Sequence, residues 1–299
     1  MHNLWWLVAI FASFVFAMYI FANQIFKLKG SHVMIYRGIG AALVLLPFSV
    51  MVDGVADSTF YWLCILQGFL IAILDNRLFN AANKFGAEIT STIQPLSVLF
   101  GFVIWFIMMP TQFFELLQSP IRLIFTVISI LGIVISVILF RKNRLNRLAF
   151  LYLLPALLTV TILDLLGKIL MNIGSDNIFG AIFYYSLITS AVAGIINAGV
   201  FFIQGNSIKE VLEPRNLIFA GIPMMILILS MYVFKNYSLY LSENPSYVMA
   251  IIYAYPVWIF LANNIFSKYI KNKIYAQPNK WVMLSMVVSI VLLILTVKN

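Results

Sequence analysis

Asp164 and Lys168 stand four residues apart in LAFLYLLPALLTVTILDLLGKILMN, residues 148–172, a run otherwise built almost wholly of apolar side chains. That spacing puts both on one face of a helix, within pairing distance. An ionisable group in an apolar segment is first a candidate for function. The pair can form a cavity wall for a charged or zwitterionic solute, or a site that takes up and releases a proton. It can equally be a self-satisfied pair turned toward a neighbouring helix, and the sequence leaves both readings open.

A second constellation lies in LDNRLFNAANKFGAE, residues 74–88. Asn76, Asn80 and Asn83 recur along one side of a helix. Asp75 and Arg77 are two apart and cannot share a face. Arg37, in the preceding apolar run, is placed to pair with Asp75. Arg37, Asp75 and Arg77 are therefore candidates for a gating ion pair beside a polar mouth, or for an interhelical salt bridge. The third constellation sits at two prolines, Pro95 in TIQPLSVLF and Pro256 in YAYPVWIFL. A mid-helix proline lacks an amide hydrogen, which frees a carbonyl and kinks the helix. Gln94 and Tyr255 hold the positions just before them and are expected to face each other near the middle of the bundle. Tyr253, Tyr255 and Trp258 could line a pocket of the aromatic kind that suits a quaternary ammonium, or pack against lipid. Gln67, Asn197 and Gln204 read as polar glue between helices.

Other chemistries lack their residues. Cys64 is the one cysteine, so no intrachain disulfide forms. His2 and His32 are isolated near helix ends, and no cysteine or histidine cluster offers a metal site. There is no GxxxxGK[ST] loop for a nucleotide. No catalytic residue and no cofactor is expected.

The elements that carry these residues are membrane helices. Of 299 residues, 63% are hydrophobic and 10% charged, against roughly half and a quarter in soluble domains. Ten apolar runs, at 4–26, 33–51, 59–81, 87–109, 121–140, 148–170, 179–202, 216–237, 246–266 and 280–297, are each long enough to cross a bilayer. The opening run lacks a basic start and a cleavage site and reads as a retained helix. The formal charge of +9 resides in short loops, so topology explains it better than nucleic acid. With alternating helices, 4 of the 19 Lys and Arg fall on the side of the N-terminus and 15 on the other. The positive-inside rule then puts both termini outside.

RKNRLNR, residues 141–147, divides the chain into five runs and five, residues 1–140 and 148–299. LF at 78–79 matches LY at 239–240 at the same offset from Pro95 and Pro256, and Asn23 and Lys27 parallel Asp164 and Lys168. Five is odd, so the second unit enters from the opposite side, the inverted repeat of many secondary transporters. On these features, with Glu115 followed by the Gly132-bearing fifth helix, and with Lys27 and Lys168 closing the first and sixth, the whole chain resembles the drug/metabolite transporter superfamily. It resembles in particular the ten-helix EamA-type members. The resemblance implies an all-α integral membrane protein, two inverted five-helix repeats around a central cavity, and alternating access. Many members keep both termini in the cytoplasm, whereas the charge count here points the other way.

The expectation is a secondary-active or facilitative carrier of small polar or zwitterionic metabolites, amino-acid-like or related. Its partners would be the solute, protons or another ion, and the lipid bilayer of a bacterial cytoplasmic (inner) membrane. A monomer suffices. The candidate solute residues are Asp164, Lys168, Gln94, Tyr255, Asn76, Asn80 and Trp258. A membrane-embedded lipid-modifying enzyme would need a convergent catalytic group, and a scaffold would need larger loops.

Overall fold

The computed structural model describes residues 4–26, 29–85, 93–139, 147–265 and 280–298. Among them every regular element is helical. Among the described residues nine helices are long and apolar enough to cross a membrane, and a bent pair makes a tenth if it counts as one span. Along the chain these are α1 (Trp5–Phe26), α2 (Gly30–Val50), α3 (Ser58–Phe85), the bent pair α4 (Ile93–Met108) and α5 (Pro110–Leu117), α6 (Pro120–Leu139), α7 (Arg147–Ile173), α8 (Ile178–Ile203), α9 (Pro214–Leu241), the broken span α10 (Pro245–Ile252) and α11 (Pro256–Ile265), and α12 (Lys280–Lys298). Lys27, Glu88 and the 141–146 stretch of the RKNRLNR loop lie outside the described residues.

The apolar surface faces outward, as lipid requires. Trp62, Ile107, Ile121, Phe179 and Ile195 are all largely exposed. α10 is the reverse, with all eight residues buried, and it runs through the middle of the bundle. α1 packs on α9 and α10, α2 on α8, α3 on α7 and α8, α4 on α7 and α10, and α6 on α12. Tertiary hydrogen bonds fix which helix ends lie together. The Ser238 hydroxyl donates to the Trp5 carbonyl, and Asn177 donates to the Asp53 carbonyl, at one end. Lys29 reaches Glu210 at the other. The first is here called the N-terminal end and the second the opposite end.

Three departures from regular helix stand out, the first two of them beside the site. A π-helical turn, Tyr36–Gly40, widens α2 where Arg37 projects; such turns gather at functional sites. Between α10 and α11 the chain tightens into Tyr253–Tyr255, with Tyr255 N–H bonding the Ile252 carbonyl at 3.2 Å and Val257 N–H the Ala254 carbonyl at 3.1 Å. The span expected over 246–266 is present as one span, Pro245–Ala262, with this turn at the expected proline, because Pro256 cannot donate and its ring displaces the carbonyl one turn back. The third is a 102° bend at Met109. Pro110 drives the residue before it out of the helical region, and Met109 takes φ −124° and ψ 68°. The stretch PTQFFELLQSP, read as a loop, starts as α5, with Phe114 exposed, Leu116 buried and Gln112 accepting from the Trp105 indole at 2.8 Å. This is the pattern of a helix lying in the bilayer surface.

α2 and α8 meet backbone to backbone. A methyl group on Gly38 would collide with Gly194, and one on Gly194 with the Gly38–Ile39 backbone. This contact holds Arg37 beside Asn197. Gly199, on the same helix, faces open space. Gly194→Ala should therefore lower stability by roughly 1–3 kcal/mol through overpacking. Gly199→Ala should be neutral or raise it by up to about 1 kcal/mol through helix propensity. Thermal melting of the purified variants in detergent checks both.

Candidate functional site

A cavity of about 120 Å³ lies inside the bundle, lined from α1, α2, α3, α4, α7, α8, α9 and α10 and by Tyr253. That volume holds several waters or a small solute. Its charged lining comprises Arg37, Asp75, Asp164 and Lys235. Burying any one of these alone would be prohibitive, and the structure joins them in two pairs. Arg37 Nη1 donates to Asp75 Oδ1 at 2.9 Å, and Lys235 Nζ donates to Asp164 Oδ1 at 2.9 Å. The Tyr253 hydroxyl donates to the other Asp164 oxygen at 3.1 Å.

The two pairs sit at opposite ends of the cavity. Asp164 and Lys235 lie in the halves of α7 and α9 nearer the N-terminal end. Arg37 and Asp75 lie in the halves of α2 and α3 nearer the opposite end. Between them the wall is aromatic and amide: Phe16, Tyr19, Tyr185, Tyr232, Gln67 and Gln94. Gln67 donates to the Tyr185 hydroxyl at 2.7 Å and to the Leu163 carbonyl at 3.1 Å, while its own carbonyl oxygen is buried without a partner. The Arg37 Nε is likewise buried and unpartnered.

The proposed Asp164–Lys168 pair does not form. Lys168 Nζ donates to the carbonyls of Leu239 at 2.9 Å and Tyr240 at 3.3 Å. These belong to the last turn of α9, where carbonyls have no partner within the helix and the dipole end attracts a cation. Sharing a helix face was not enough, because those acceptors compete and Lys235 takes the carboxylate. Tyr255 and Trp258 also lie outside the cavity. Tyr255 packs edge-on against Phe16 at 4.8 Å between ring centres, and Trp258 against Phe14 at 5.5 Å, so both seat α11 on α1. Gln94 does line the cavity, and Tyr253, not Tyr255, faces it from the broken span. Arg77 points away, stacked over Tyr152 at 5.1 Å and donating to that residue's carbonyl at 3.2 Å.

Asn76 and Asn80 line a second cavity, of about 210 Å³, with Gly30, Ser31, Asn197 and Gln204. It lies at the opposite end, beyond the Arg37–Asp75 pair. Asn76 donates to Asn197 Oδ1 at 2.9 Å, and Asn197 donates to Asp75 Oδ2 at 3.4 Å. Arg37, Asp75 and Asn197 pack together between the two cavities, the first two lining the central cavity and the third the vestibule. Next to this vestibule the α8–α9 connection is tied to α2. Lys29 lies 2.7 Å from Glu210, and Tyr36 donates to the Val211 carbonyl at 2.7 Å. The Lys29 hydrogen bond and charge hold the Glu210 carboxyl below its ordinary range. The tie is therefore complete at neutral pH and is lost as pH falls through that lowered value.

Lys235, Tyr19 and Tyr232 were not singled out from sequence. Lys235 was counted with the end of a helix closing at residue 237. The stop signal comes later, at Asn244 and Pro245: Asn244 Oδ1 accepts from Ser246 N–H at 2.8 Å and opens α10. Read to that signal, α9 extends to Leu241 and Lys235 falls well inside it. Among the described residues no group of three His, Cys, Asp or Glu is arranged to hold a metal. The cavity offers carboxylate, guanidinium, ammonium, phenol and amide groups, a set for binding charge and hydrogen-bonding groups. Neither a protein-family model nor a curated protein matches the chain.

Asp75→Asn would leave the Arg37 guanidinium buried without its charge partner and should cost about 3–5 kcal/mol. Lys168→Met, which strands two helix-end carbonyls, should cost about 1–3 kcal/mol. Melting curves at neutral pH distinguish the two magnitudes.

Proposed function

We propose that this chain is a membrane carrier for a small polar or zwitterionic metabolite, amino-acid-like or related, working by alternating access. The observation that carries this reading is the central cavity. Two cations and two carboxylates, summing to zero charge, are enclosed within helices whose outer surface is apolar. Charges at membrane depth mark solute and ion pathways. A zwitterion matches the unused atoms: Arg37 Nε can donate to a carboxylate and the Gln67 oxygen can accept from an ammonium.

The resemblance to the EamA-type drug/metabolite transporters and the two inverted five-helix repeats belong to the same proposal. The packing order supports the repeat. Exchanging each helix of the first half for its counterpart maps α1 on α9 to α7 on α3, and α1 on α10 to α7 on α4. The pairs α2 with α8, α4 with α10 and α6 with α12 join counterparts directly. In this reading Arg37, Asp75 and Asn197 gate the passage between vestibule and cavity. The basic bias supports a cytoplasmic vestibule end in this reading, with both termini outside a bacterial cytoplasmic membrane.

Protein in liposomes should take up or exchange a labelled solute from a panel of amino acids and related zwitterions. Asp164→Asn should cut the rate by about tenfold or more, equivalent to roughly 1.4 kcal/mol, while eluting as a folded monodisperse species. Absence of uptake and of counterflow across the panel would sink the carrier reading; wild-type rates in Asp164→Asn would make the Asp164 pair structural and remove it from the transport site.

A further inference from the structure

Asp164 is occupied by this chain's own groups. Lys235 reaches one oxygen from α9 and Tyr253 the other from the break between α10 and α11. The side chains of Asp164 and Lys235 are 9% and 12% exposed. Gln67 of α3 bonds the carbonyl of Leu163, the residue before Asp164, and its unpartnered oxygen lies in the same wall. Tyr185 of α8, whose hydroxyl accepts from Gln67 at 2.7 Å, lines the same cavity. Lys168, on the carboxylate's own helix, is turned away toward Leu239 and Tyr240.

A carboxylate, a free amide oxygen and phenol rings together are what an ammonium needs: acceptors for its three N–H groups and π faces for its charge. Lys235 supplies an ammonium now. We propose that Asp164, Gln67 and Tyr253 form the recognition site for a primary ammonium group of the solute, and that Lys235 is its built-in occupant. Lys235 neutralises Asp164 when the cavity holds no solute and yields the carboxylate when an ammonium arrives. Exchange of one ammonium for another leaves the charge on Asp164 balanced, and the displaced Lys235 ammonium is compensated by the carboxylate that a zwitterionic solute brings with it. A sodium ion brings no hydrogen-bond donors and would need several further oxygens, so it does not substitute. This inference rests on the carrier reading only for the nature of the visiting molecule.

The test uses purified full-length protein, ethylammonium chloride as probe, and the melting midpoint as readout. Sodium and tetramethylammonium chlorides at equal ionic strength are the controls. In Lys235→Ala, ethylammonium should raise the midpoint with a half-saturating concentration at least about tenfold below that of wild type, and the controls should not. Lys235→Met keeps the volume of the stem and so folds where the alanine variant does not. It should show the same gain, and Asp164→Asn with Lys235→Met should lose it. Equal responses in wild type and both Lys235 variants, or sodium matching ethylammonium, would overturn the proposal. The assay needs no transport: stabilisation without liposome uptake would keep the ammonium site and reject the carrier, and uptake without stabilisation would do the opposite.

Discussion

Hydrocarbon offers no hydrogen-bond partner, so the backbone and the charged side chains at membrane depth must find theirs within the protein. The sequence places Arg37, Asp75, Asp164, Lys168 and Lys235 inside apolar helices. The fold answers each. Arg37 and Asp75 join α2 to α3, Asp164 and Lys235 join α7 to α9, and Lys168 ties α7 to the last turn of α9. Breaking one partner is costlier than the pair is worth against an apolar replacement, because the survivor stays buried and charged. The charges therefore act less as a source of stability than as a constraint on which helices are neighbours and in what register.

The irregular backbone follows from the same constraint. Non-helical backbone at membrane depth is tolerated only when buried in protein or lining a cavity. The turn at Tyr253–Tyr255 meets that condition: all three residues are buried, and the break delivers a phenol to Asp164. The π-helical turn in α2 does similar work for Arg37, next to a glycine contact that lets α8 bring Asn197 to Asp75. A second π-helical turn, Leu217–Gly221 in α9, receives the Tyr36 ring against Gly221. Each irregularity thus sits where two elements approach closely or where a polar side chain must be aimed.

How much of this could be read from sequence depends on the range of the interaction. Apolar runs between short polar loops mark the helices, because bilayer thickness sets their length. Pro256 and Pro110 mark breaks, though not their size. Asp164 and the Arg37–Asp75 partnership were legible because a charge in an apolar run requires a partner. Which partner was not legible for Asp164. The i, i+4 rule put Lys168 within reach, but it is blind to acceptors on α9, 71 residues away. Tyr255 and Trp258 show the same limit from the other direction. Proline locates the break, but the local turn decides which of three neighbouring aromatics faces inward, and it selects Tyr253.

The two ends of the cavity are closed by different means, and that difference bears on how such a bundle would move. Toward the vestibule the barrier is side chains: one ion pair and two asparagines, with Arg37 and Asp75 lining the cavity on one side and Asn76 and Asn197 lining the vestibule on the other. Side-chain rotation alone can part them. Toward the N-terminal end the barrier is helix against helix. α7 and α9 are joined at Asp164–Lys235 and again at Lys168 with the α9 carbonyls, and α9 is held to α1 by Ser238 and Trp5. Opening that end requires the helices themselves to separate. A competing ammonium at Asp164 would release one of those joints, which couples occupancy of the cavity to the harder of the two motions.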